Sequence, residues 1–335
     1  MLIKLKNGGA NLRNSKFINL RAFAIILVVL AHSIIIYNPY WGVINTEYKS
    51  SFLKYICLII YIFHMPLFFA ISGYFYNKTL EHNYSYKQFI LIKLKRLIIP
   101  YIFIGFFWLL PIRYILGYDN YVKHSLLYNI FVNFILGLDN GHLWYLASLF
   151  IIFIMYFAID HFIKNKYVKI FLIFCLSIIG YLMPSYLGKA LENIIWFGLG
   201  KNLYSNNLTF KNKKIHICLI IGFIILLAIL YVWIYGRVAF YKYLCIALKY
   251  IFCFTVIPLL FFVFPIKTKN VVKEIDKNSF GIYLFHSPLV YFVFNSGLVK
   301  YPILVFAVNF FVMGFISYTL TKFVSNSKLK FIVGR

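Results

Sequence analysis

Arg21 and His32 stand eleven residues apart in NLRAFAIILVVLAHS (19–33), with nothing ionisable between them. A guanidinium suits phosphate or carboxylate, and a neutral imidazole can take the proton of an attacking hydroxyl near neutral pH. At 100° per residue the pair lies within about 20° of one helical face, separated by ~16 Å along the axis. That arrangement leaves the cation at a membrane surface and points the imidazole into the interior.

Three further histidines interrupt apolar runs. His64 belongs to YIFHMPLFFAISGYFY (61–76), where Pro66 removes a backbone hydrogen bond and Ser72 and Gly73 permit close helix approach. It lies ~18 Å from the inner end of its helix, matching the depth of His32. His142 and Trp144 open GHLWYLASLF (141–150) near the external interface, where Trp144 fits either an aromatic belt or a substrate contact. His286 lies in KNSFGIYLFHSPLVY (277–291), seven residues beyond Ser279, which reads as an N-cap. A helix–helix hydrogen bond and direct chemistry both suit His286. An ionisable side chain at a helix centre costs ~2.5–3.5 kcal/mol or more in lipid, so each is a functional candidate.

Lys93 and Arg96 share a helical face in KQFILIKLKRLIIPY (87–101). Interface snorkelling explains such a pair, and so does a phosphate clamp completing a basic funnel with Arg21. The eight acidic residues are mostly peripheral, which weakens a proton-coupled pump reading, although Glu192 opens a helix and can enter a cavity.

The elements that must position these residues are membrane helices. The chain is 63% apolar and 13% charged, outside the range of ordinary globular proteins. Apolar stretches of about 17 to 25 residues recur along it, each long enough for a ~30 Å hydrocarbon core. They fall at about 17–37, 53–76, 97–117, 142–160, 168–184, 188–204, 215–235, 243–265, 279–297 and 302–322. The segment 120–141 is apolar but short, and reads as an external amphipathic or re-entrant piece.

A net charge of +26 would suggest nucleic acid in a soluble protein. Here the positive-inside rule accounts for it. The clusters are Lys4–Arg21, Lys78–Arg96, Lys164–Lys169, Lys201–Lys214, Lys267–Lys277 and Lys322–Arg335. They hold 25 of the 34 basic residues, and placing all six inside gives an even number of crossings. The expectation is therefore an all-α polytopic protein with about ten transmembrane helices and both termini cytoplasmic. Its parts are a tail at 1–16, a membrane domain at 17–323 and a second tail at 324–335. The five cysteines are scattered with no C-x-x-C pair, indicating neither a metal site nor a disulfide framework.

Five motifs in order, Arg21-x10-His32, FHMPLFFAISGY, the basic pair before RLIIPY, GHLWYLASL and SFGIYLFHSP, carry a resemblance. Together they resemble the acyltransferase type 3 family of bacterial membrane O-acyltransferases, in its stand-alone sugar O-acetyltransferase-like form. The similarity covers Asn19 to Pro288. It implies a ten-helix domain in the bacterial cell membrane that passes an acyl group, usually acetyl, from cytosolic acyl-CoA to a hydroxyl of a cell-surface glycan or its lipid-linked precursor. Family members carry an Arg-rich pair before the third helix, and here its first position is Lys93, which lacks the bidentate fork of arginine.

On that resemblance Arg21, Lys93 and Arg96 would bind CoA phosphates and His32 would be the base. His64, His286, His142 or Trp144 would orient it, contact the acceptor or support the oxyanion. Direct transfer and an acyl-histidine intermediate both use His32. The expected partners are acyl-CoA, a glycan or lipid-linked sugar, and membrane lipid, with no nucleic acid. A polysaccharide or lipid-linked-sugar transporter lined by the same histidines is the alternative.

Overall fold

The computed structural model describes residues 2–334 apart from 39, 40, 45, 83, 206–211, 236–238 and 266, and every element assigned among them is helical. Lys211 and Arg335 of the basic clusters lie outside the described residues, as do the side chains of Lys4, Lys6, Arg13, Lys213 and Lys214. The principal helices are α1 (Leu2–Ser33), α2 (Ser51–Leu80), α3 (Tyr86–Ile115), α4 (Leu126–Ile135), α5 (Gly141–Phe162) and α6 (Lys166–Ile179). They continue with α7 (Ser185–Ser205), α8 (Asn212–Tyr235), α9 (Ala239–Val263), α10 (Asn270–Phe294) and α11 (Pro302–Ser325).

All but the short α4 fall near the ten expected spans, yet six segments meet the length and hydropathy needed to cross a bilayer: Ser15–Ser33, α2, α3, α5, Tyr243–Val263 and α11. The others fall short for identifiable reasons. Helix α6 has 14 residues, α7 carries Lys189, Glu192 and Lys201, and the described apolar part of α8 is Ile220–Ile229. Helix α10 dilutes its apolar run with Lys277, Asn278, Ser279, His286 and Ser287.

Three helix starts differ from expectation. Helix α3 begins at Tyr86 rather than at about 97, because Ser85 and Gln88 form a capping box ahead of the apolar run. Helix α1 is continuous from Leu2, so the segment 1–16 is largely a helical extension of the first span. Helix α10 begins at Asn270 and holds Ser279 in its interior, so Ser279 is not an N-cap. The intervening Lys273–Lys277 turn sustains the helix, and Asp276 is tied to α1. At the other end the tail folds back through a short turn, Lys330–Val333, that buries Ile332 and Val333.

Helix α2 is the central post, packed along α7 and also touching α1 and α9. Glycines set the α2–α7 distance. A Cβ on Gly73 would lie 1.9 Å from the Phe197 carbonyl oxygen, and one on Gly200 would lie 1.8 Å from that of Ala70. The two backbones touch where side chains would otherwise stand, the usual device of close membrane-helix packing. Helix α10 packs between α1 and α11. On α11 the exposed side chains of Ile303, Phe311, Phe315 and Phe323 form a lipid-compatible outer face.

The 120–141 segment packs its helix α4 against α3. Gly105 of α3 leaves room for the Phe134 ring, and Tyr101, near the midpoint of α3, stacks on that ring at 4.6 Å. Its buried face pairs Asn133 Nδ2 with Asn129 Oδ1 at 2.7 Å. Two prolines free carbonyls that other helices use. Pro66 cannot donate to Ile62 O, which accepts Cys253 Sγ at 3.4 Å. Pro288 leaves Leu284 O free in the same way, next to the site.

Candidate active site

Helices α1 and α10 run in the same direction and are joined at two levels. At the basic level Arg21 Nε and Nη2 each donate to a carboxylate oxygen of Asp276 at 2.7 Å, a bidentate pair. Eleven residues further along α1, and ten along α10, His32 Nδ1 meets His286 Nε2 at 2.9 Å. Asp276 counts in the sequence among the mostly peripheral acidic residues, although it shares nearly the same spacing to His286 that Arg21 has to His32.

The hydrogen-bond network assigns the tautomers of the neutral rings. His286 Nδ1 faces two carbonyls, Ile282 O at 3.0 Å and Tyr283 O at 2.8 Å. Carbonyls only accept, so the proton sits on Nδ1 and His286 Nε2 presents a lone pair. The proton between the rings therefore belongs to His32 Nδ1. Val28 O, 3.1 Å from the same atom, demands the same assignment. His32 Nε2 is left with its lone pair, as a general base requires. His32 is partly exposed, whereas His64, His142 and His286 are 2%, 5% and 1% exposed, so a reactant can reach His32 among the four.

The other histidines support this pair. His142 donates from Nε2 to Leu284 O at 3.1 Å, the carbonyl released by Pro288. Its ring centroid is 5.6 Å from that of His286, and among the described residues its Nδ1 is buried without a hydrogen-bond partner. His142 therefore stands at the level of the His32–His286 pair. Trp144 is half-buried and packs by Phe69 and Tyr145. His64 donates to Ile60 O at 2.8 Å, and Tyr61 separates it from His32, with ring centroids at 4.8 Å and 6.3 Å. His64 thus belongs to the next layer of the site.

Tyrosines missed in the sequence close the surroundings. Tyr283 Oη donates to His142 O, the Tyr145 and Tyr283 rings are 5.6 Å apart, and Tyr145 Oη lies 3.1 Å from Ser72 Oγ. Trp108 donates to Phe285 O at 3.3 Å. Aromatic residues are so abundant in this chain that their identity alone gives no signal.

The basic residues share one end without touching. Arg21 lies over Phe75 at 4.9 Å; the neighbouring Tyr76 ring is 6.0 Å from Phe89, over which Lys93 sits at 5.2 Å. Lys93 is buried with its ammonium 3.9 Å from the Phe153 ring centroid, while Arg96 is exposed. Among the described residues no hydrogen bond or ion pair joins Arg21, Lys93 and Arg96 to one another.

A bundle of apolar helices around the partly exposed His32 imidazole, with a basic end, defines a multi-pass membrane protein with a histidine cluster. The family described as an acyltransferase domain, Acyl_transf_3, matches residues 14–331, and the chain belongs to that family. It is also similar to the nodulation protein NolL of Sinorhizobium fredii, 37% identical over 101 residues, or 29% of this chain. That match spans 25% of the length of NolL. No solved structure matches the chain.

Proposed function

We propose that the protein moves an acyl group, most simply acetyl, from cytosolic acyl-CoA to a hydroxyl of a cell-surface polysaccharide or its lipid-linked precursor. The bacterial cell membrane, ten crossings and cytoplasmic termini belong to the same proposal. The observation that carries it is the His32–His286 pair, which leaves a lone pair on His32, the accessible member of the four clustered histidines, in an acyltransferase-family chain.

In this reading His32 Nε2 takes the proton of the acceptor hydroxyl as its oxygen attacks the thioester carbonyl. The C–S bond then breaks, and the departing thiolate receives that proton from His32, giving ester and free CoA thiol. His286 holds the ring by accepting from His32 Nδ1 and stabilises the charge that forms on it. The basic end, with Arg21, Lys93 and Arg96, attracts the CoA phosphates, while Trp144 lines the acceptor side and the buried His142 stands behind the His32–His286 pair. Engaging phosphate through Arg21 would require its guanidinium to share or exchange the Asp276 carboxylate.

The test is transfer of labelled acetyl from acetyl-CoA in membrane vesicles. His32→Ala should lose about 10²- to 10⁴-fold in rate, the usual value of a positioned base, while remaining inserted and monodisperse. Undiminished transfer would remove His32 from the chemistry. Glycan that keeps its O-acyl groups but fails to appear outside cells lacking the protein would instead favour a transporter.

A further inference from the structure

At the basic end, on the opposite side of α7 from its contact with α2, a cavity of about 610 Å³ opens between α6, α7 and α9. Lys164, Lys166, Lys169 and Lys201 line it. Among the described residues, Asp160 is the carboxylate paired with these lysines. Asp160 pairs with Lys169 at 2.6 Å and with Lys201, and its backbone carbonyl accepts Lys164 Nζ at 3.3 Å. The rest of the wall is apolar, including Ile170, Phe171 and Phe174, all exposed on the outer face of α6.

We propose that this cavity is a binding site for an anionic phospholipid, with the phosphate at the lysines and an acyl chain along α6. The combination decides the class of ligand. Surplus positive charge selects a phosphate, and basic pockets between membrane helices are suited to lipid head groups. A soluble phosphate or nucleotide would use the lysines but leave Ile170, Phe171 and Phe174 uncovered. An amphiphile satisfies both parts, and the bilayer supplies it beside an exposed apolar helix face. The site uses none of the residues placed in acyl transfer, so it stands apart from that reading.

The experiment offers the purified full chain equal amounts of phosphatidylglycerol and phosphatidylcholine in detergent and counts bound lipid by native mass spectrometry. Phosphatidylglycerol should be retained in at least about tenfold preference, which surplus lysines near a phosphate can supply. Lys164→Gln/Lys166→Gln/Lys169→Gln should bring the ratio close to parity. A control, Lys328→Gln/Lys330→Gln, removes two charges from another basic cluster and should keep the preference. If the triple variant does not fold, Lys164→Gln/Lys166→Gln, both at exposed positions, should still lower the ratio.

Equal retention of the two lipids by the natural chain would overturn the proposal. So would an equal loss in the control, which would reduce the effect to overall charge. Displacement of phosphatidylglycerol by millimolar inorganic phosphate or 3′,5′-ADP would reassign the cavity to a soluble phosphate.

Discussion

His286 shows how one buried side chain fixes the chemistry of another. Because Ile282 O and Tyr283 O hold its proton on Nδ1, His286 can only accept from His32, and His32 keeps the nitrogen lone pair that faces away from the contact. His286 is therefore a positioning residue. Replacing it with alanine should lower kcat by about 10- to 100-fold through lost orientation, leaving the KM for acyl-CoA unchanged. A rise in KM with kcat preserved would contradict that role. At this scale the sequence disclosed the four histidines, because a polar group within an apolar run is conspicuous. Their pairing was not legible, since it depends on two helices whose residues are 254 positions apart. The Pro288 gap was the one local hint, as a proline in a helix advertises an unpaired carbonyl four residues earlier.

Among the elements, α2 and α7 meet through Gly73 and Gly200 without intervening side chains. Helix α2 also carries Tyr61 and His64, so its distance from α7 governs the layer behind His32. Gly200→Val places its new atoms against the α2 backbone, which cannot yield as a side-chain end would. The expected cost reaches the top of the ~1–3 kcal/mol typical of overpacking, read as a lower thermal midpoint of the purified protein. A midpoint equal to that of the natural chain would show that the helices can part freely here. The Ser72–Gly73 step announced such an approach in the sequence, but Gly200 did not, being embedded in WFGLGKN among other small and apolar residues. Helix boundaries were legible to within a turn where apolar runs met charged loops. They failed at Leu2, Tyr86 and Asn270, where helix-compatible charged residues extend the helix beyond the apolar run.

Across the whole molecule, basic residues gather at one end and α4 closes against the middle of α3. Charge counting located the basic end because lysine is conspicuous in so apolar a chain. It could not sort those residues by what each one does, since Arg21 is tied to Asp276, Lys93 is buried on aromatic faces, and Lys164 to Lys201 surround a separate cavity. The packing of 120–141 on α3 was not legible, since it depends on Gly105 accepting the Phe134 ring, a contact between residues 29 positions apart.

The two rungs between α1 and α10 also make the pair a length gauge. Adding one residue to either helix between its rungs advances it 1.5 Å and turns it 100°, so both rungs cannot then be made together. One alanine inserted after Ile25 should abolish acyl transfer. A matching insertion after Phe280 should restore part of it by bringing the rungs back into step. If the doubly lengthened chain is no better than the singly lengthened one, the helices are not keeping each other in register.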